Sequence, residues 1–246
     1  MLRSSAVFTA IRTSEVVMMF RQKQIGVHAA LVAAFSLAAV VAAYAQMFGA
    51  DNGAGMMGGY GMGPGMMMGA GLANRPVDAD WGGGVLSYGQ VEGYIRDGRD
   101  RGKVDAKANS VIYDGTDVTI NMVAVQPVHH DQTFEVAGLT DPTLVVPLGA
   151  RVHLSLVNMD YGDNMEHGLI LTPAPPPYPY MAMMKTGSGV AQVRSLLPWR
   201  SEKSVAQARY AVLSTDFIAQ QPGTYWYVCP TSQHAEKGMY GRFVIR

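Results

Sequence analysis

The chain has 246 residues, only 15% of them charged, and no net formal charge, which fits one ordinary domain with extensions. No cluster of Lys and Arg with interleaved aromatics is present, which excludes a nucleic-acid surface of the usual kind. One cysteine, Cys229, excludes an internal disulfide and leaves a thiol that, in an exported chain, reads as reactive or ligating.

Residues 1–45 have the pattern of an export signal. Arg21 and Lys23 precede an alanine-rich apolar run from Ile25 to Ala43, and Ala43-Tyr44-Ala45 fits an A-x-A cleavage box, so the mature chain is expected to start at Gln46. Met18 and Met19 are alternative starts. The alternative fate of the segment is an uncleaved membrane anchor, because the run is almost long enough to span a bilayer. Both place the remainder outside the cytoplasm. Residues 46–82 follow as a Met/Gly-rich linker. Met47, Met56, Met57, Met62, Met66, Met67 and Met68 stand among glycines, a composition too costly in backbone entropy to fold. It reads as a flexible tether, or as a tract that collects Cu(I), since thioethers are soft ligands.

The domain is expected over 83–246. Ser87-Tyr88-Gly89-Gln90 resembles a capping box opening a short helix, with Val91, Tyr94 and Ile95 on one face and Gly98 near its end. Beyond it the pattern is β. The runs 111–113 and 118–125 flank Asp114-Gly115, a hairpin signal. Strands are expected at 133–136 and 143–146, with a turn at Pro147-Leu148-Gly149. Val152, Leu154 and Leu156 alternate with Arg151, His153 and Ser155, so His153 is expected at the surface. A further strand begins at His167. The segment 173–207 opens with Pro173, Pro175, Pro176, Pro177 and Pro179, which rule out regular structure there. Its tyrosines and methionines predict packing near the Cys229 end of the domain, or a docking face. Strands resume at 210–218, 225–229 and 243–246.

Many short strands without a βαβ rhythm predict an all-β sandwich with a short N-terminal helical extension. The strand ending at Cys229 alternates Tyr225, Tyr227 and Cys229 against Trp226 and Val228, so both of its faces are expected to be covered. His234 and Met239 follow at intervals of five. One thiolate, one imidazole and one thioether on a loop anchored by two strands suit copper, given one more imidazole. His167, at the mouth of a loop, is the expected donor. The adjacent His129 and His130 lie in a polar stretch and cannot both face one site easily.

The stretch Gly223 to Gly241, G-T-Y-W-Y-V-C-P-T-S-Q-H-A-E-K-G-M-Y-G, resembles the copper loop of the cupredoxins, with the C-x4-H-x4-M spacing of the rusticyanins and sulfocyanins. G-K-V at Gly102 to Val104, P-T-L-x-V-P-x-G-A at Pro142 to Ala150 and P-P-Y at Pro176 to Tyr178 are also similar to the rusticyanin pattern. The resemblance runs from about Leu86 to Arg246. It implies a cupredoxin-like Greek-key β-sandwich and one copper ion held by His167, Cys229, His234 and Met239. It further implies a monomeric periplasmic electron carrier, not an enzyme, working between c-type cytochromes and a terminal oxidase in iron- or sulfur-oxidising respiration. Two departures stand out. Gly168 occupies a position that is Ser in the family, and Ser232-Gln233-His234 replaces P-G-H. Two other classes compete with the carrier. A nitrite reductase or multicopper oxidase domain has a His beside the Cys, whereas Val228 and Pro230 flank Cys229. A copper storage or delivery protein would use the Met-rich tract.

Overall fold

The computed structural model describes residues 75–127 and 129–246. The first strands are β1 (Gly84–Ser87), β2 (Lys103–Asp105), β3 (Ser110–Ile112), β4 (Asp117–Ala124), β5 (Phe134–Val136) and β6 (Leu139–Thr140). They are followed by β7 (Thr143–Val146), β8 (Arg151–Asn158), β9 (Ile170–Thr172), β10 (Ala191–Gln192), β11 (Arg209–Ile218), β12 (Gly223–Val228) and β13 (Tyr240–Ile245). One six-stranded sheet has the order β1-β11-β8-β4-β5-β6, and a seven-stranded sheet has the order β10-β9-β12-β13-β7-β3-β2. Side chains from both sheets, among them Ile120, Leu154, Leu144, Tyr227 and Phe243, form one buried cluster. The fold is the expected all-β, cupredoxin-like sandwich.

The first helix, α1 (Tyr88–Arg99), starts as the sequence predicts. The Gln90 Oε1 accepts hydrogen bonds from the Ser87 N–H at 2.8 Å and the Ser87 hydroxyl at 2.9 Å. Val91, Tyr94 and Gly98 face inward. Gly98 is required by contact, because a Cβ there would lie 2.8 Å from Asn121 Cβ on β4. Tyr94 pins the helix to the sheet. Its hydroxyl accepts from Met122 N–H at 2.8 Å and lies 2.7 Å from Ser155 O.

Two expectations need correction. Asp114-Gly115 is not a hairpin turn: β3 pairs with β2 and in parallel with β7, while β4 pairs in parallel with β8 in the other sheet. The turn carries the chain from one sheet to the other, and the Tyr113 N–H is taken by Val145 O at 2.9 Å. The packed unit also begins before residue 83. Val77 and Trp81, expected in the linker, are buried in the core. The Val77 N–H donates to Trp199 O at 2.8 Å, and Trp81 Nε1 donates to Gly84 O at 3.1 Å.

The segment 173–207 packs where the sequence placed it, over the end of β12. It contains the short helix α2 (Met183–Thr186). Tyr178 and Ala182 join Val228 and Ala235 in a second buried cluster, with Trp226 and Tyr240 against it. Both faces of β12 are therefore covered. No helix among the described residues is long and apolar enough to cross a membrane. The export signal and most of the linker lie outside the described residues.

Candidate metal centre

Strand alternation delivers Cys229 to the inner side of the sandwich at the end of β12, where it is fully buried. The loop from Cys229 to Met239 then closes on itself. The Cys229 N–H donates to Met239 O at 3.1 Å, the Met239 N–H to His234 O at 2.9 Å, and the His234 N–H to Thr231 O at 3.2 Å. These bonds fix where His234 and Met239 leave the backbone. Both residues are buried, Met239 completely.

His167 arrives from the other sheet crossover and is held on both sides. Its backbone forms a two-bond bridge with Leu197, N–H to O at 3.2 Å and O to N–H at 2.7 Å. Thr231 Oγ1 ties the two loops together by donating to Glu166 O at 2.7 Å. The Asn158 amide, fully buried, donates to Met165 O, Leu197 O and Pro198 O at 2.9, 3.0 and 3.1 Å.

Three donor atoms converge. Cys229 Sγ is 3.7 Å from His167 Nδ1 and 3.6 Å from His234 Nδ1, and the two Nδ1 atoms are 3.2 Å apart. For a triangle with those sides, the point equidistant from the corners lies about 2.0 Å from each, the length of a metal–imidazole bond. His129 and His130 take no part. His129 Nδ1 instead meets Glu135 Oε1 at 2.6 Å. His153 pairs with Asp216 at 2.9 Å near the surface, as its strand position predicts.

The outer nitrogen of His167 is also committed. Its Nε2 lies 2.9 Å from Asp160 Oδ2. Donation from Nε2 to this carboxylate leaves the Nδ1 lone pair for a metal, the arrangement that orients and strengthens ligating imidazoles. Asp160 is itself placed by its backbone: its N–H donates to Asn158 Oδ1 at 2.9 Å, and Arg200 N–H donates to its carbonyl at 2.9 Å. Sequence reading missed Asp160 and Asn158. Their only local signal is an N-M-D turn at the end of β8.

Electrostatics prepare the sulfur as a ligand. Burial pushes the Cys229 thiol up, but hydrogen bonds and positive charge from His167 and His234 prevail and bring it down to about 5. Burial pushes His167 down, but Asp160 and Cys229 together raise it to about 9. The sulfur is thus biased toward the thiolate that binds a metal, and metal binding displaces any proton from Nδ1. Two imidazoles and a thiolate, with a buried methionine closing the same loop, are the donor set of a type 1 copper site.

Comparison with known proteins agrees. Rusticyanin of Acidithiobacillus ferrooxidans is 30% identical over 183 residues, covering 73% of this chain and 86% of the relative. The chain belongs to the rusticyanin family. Rusticyanin of Acidithiobacillus ferridurans matches with the same identity and coverage. The solved rusticyanin of Thiobacillus ferrooxidans superposes with a TM-score of 0.55 at 29% identity, covering 66% of this chain and 96% of that one. No protein-family model matches the chain. The two departures from the rusticyanin pattern have structural correlates. At Gly168 a Cβ would sit 2.8 Å from Leu196 Cδ2 and 2.9 Å from Pro230 Cγ, so the space for a serine side chain is closed. Gln233 adopts a left-handed φ of 69°, a conformation glycine takes without strain. Its N–H donates to Tyr180 O at 2.8 Å, tying the metal loop to the segment that covers it.

Proposed function

We propose that this protein is an exported one-electron carrier with a single type 1 copper ion held by His167, Cys229, His234 and Met239. The observation that carries this reading is the convergence of Nδ1, Nδ1 and Sγ in a triangle of 3.2 to 3.7 Å, in a chain of the rusticyanin family. Copper bound by such a set exchanges one electron between its cupric and cuprous states. The chain's contribution is rigidity. The bridge at Leu197, the Thr231 tie and the closed loop keep the donors in place, so little must rearrange when charge changes. The imidazole of His234, almost buried yet lining a surface cavity, is the electron's route out in this reading. Val228 and Pro230 beside Cys229 supply no donor for a second copper, which supports a carrier over an oxidase or reductase.

In this reading residues 1–45 direct export to the periplasm and the Met/Gly-rich stretch from residue 46 is a tether. The folded domain works as a monomer and passes electrons between c-type cytochromes and a terminal oxidase. The export pattern and family membership support these assignments. The test is optical. Copper-loaded, oxidised protein is expected to be intensely blue from thiolate charge transfer. Cys229→Ala abolishes the colour, while Met239→Leu keeps copper and shifts the reduction potential. A colourless protein that binds only Cu(I) would assign it to copper storage or delivery instead.

A further inference from the structure

Beside the metal centre lies a cavity of about 820 Å³. Its lining includes His234 and four methionines: Met165 from the His167 loop, and Met181, Met183 and Met184 from the segment over β12. None of the four belongs to the two buried clusters described among these residues. Met184 is 84% exposed, a placement that packing does not reward. Met181 already faces the metal loop, since its Sδ accepts a hydrogen bond from Ser232 Oγ at 3.1 Å. Glu166 lines the same cavity, and its Oε2 is buried with no hydrogen-bond partner among the described residues.

We propose that this cavity is an entry site for Cu(I), in which Met165, Met181, Met183 and Met184 capture the ion and release it to His234 and Cys229. Thioethers are soft, neutral ligands that favour Cu(I) and carry no proton. Transfer breaks copper–thioether bonds and forms bonds to the His234 and His167 Nδ1 atoms and the Cys229 thiolate. Copper remains cuprous throughout, no electron moves, and any proton displaced from the ligand atoms leaves to solvent.

The inference rests on the copper reading, and two measurements separate the two. Ag(I) is soft, monovalent and redox-inert. It is titrated into protein that has been incubated with copper, reduced, and labelled with carbon-13 at its methionine methyls. The resonances of Met165, Met181, Met183 and Met184, assigned from single Met→Leu variants, are expected to move. Movement confined to the methionines of residues 47–68, or none at all, overturns the proposal. A protein that never turns blue but whose cavity methyls move keeps the entry site and refutes the carrier. In the second measurement, metal-free Met181→Leu/Met183→Leu protein takes up Cu(I) roughly tenfold more slowly, the lower end of losses on removing supporting ligand groups. Its Cu(II) uptake, circular dichroism and final blue absorbance stay at wild-type values. Equal Cu(I) uptake, or equal slowing of both ions, overturns it.

Discussion

Asp160 bears on the metal centre through one contact. Its carboxylate lies 2.9 Å from Nε2 of His167 and is only 12% exposed, so solvent screens it weakly. A negative charge there favours the more positive cupric state and holds the ring in the ligating tautomer. Asp160→Asn keeps an acceptor and removes the charge. The expected result is a higher reduction potential and roughly tenfold weaker copper binding, read by redox titration and by competition with a chelator. An unchanged potential would mean that Asp160 only orients the ring. Gly168 makes the opposite case, in which an absent side chain matters. A Cβ would press on Leu196 and on the ring of Pro230, which follows Cys229 directly. Leu196 can rotate away, but the proline ring cannot. Gly168→Ser, which restores the family residue, is therefore expected to cost about 1–3 kcal/mol as overpacking. The measurement is a lower urea midpoint with an unchanged slope.

At the scale of elements, α1 is attached to the six-stranded sheet largely through Tyr94. The hydroxyl of Tyr94 satisfies Met122 N–H at 2.8 Å and lies within 2.8 Å of Ser155 Oγ, all buried. Tyr94→Phe keeps the packing but leaves the Met122 N–H without that acceptor, a loss of about 1–3 kcal/mol. Equilibrium urea unfolding reports it, and the blue absorbance is expected to stay, because α1 supplies no donor to the centre. What could be read from sequence follows the range of each signal. The capping box of α1 and the alternation of β12 are local patterns, and both stand as expected. The meeting of Cys229 and His234 was legible because one short loop carries both. The Asp114-Gly115 turn misled because turn chemistry fixes a reversal but not which strand is met next. Here β4 finds β8 in parallel, a pairing made across some thirty positions. Asn158 and Asp160 were invisible for a related reason. Their role lies in hydrogen bonds to Met165, Leu197 and His167, and no sequence period marks a hub.

Across the whole molecule, buried carboxylates contribute to how the fold responds to pH. At the β5–β6 edge, burial holds the Asp141 carboxyl up at about 7, with the Phe134 N–H bond opposing and Glu135 adding to the rise. Burial also raises Glu135, against the lowering charges of His129 and Arg99. A carboxyl raised in the folded state contributes stability that is fully present below its unfolded value, 3.8 for Asp141, and is lost as pH rises through about 7. The Asp141 contribution is therefore expected to fade from about pH 4 to about pH 7, the reverse of a salt-bridged carboxylate. Asp141→Asn isolates this contribution. Asn keeps an acceptor for the Phe134 N–H, now at 2.9 Å, and tolerates the left-handed φ of 44° at this position. A tenfold change in proton affinity on folding corresponds to about 1.4 kcal/mol, and the partial exposure of Asp141 reduces the yield. The variant is expected to gain on the order of 2 kcal/mol at pH 8 and little at pH 4. Urea unfolding at the two pH values measures it. An equal gain at both would locate the effect in packing and not in the buried charge.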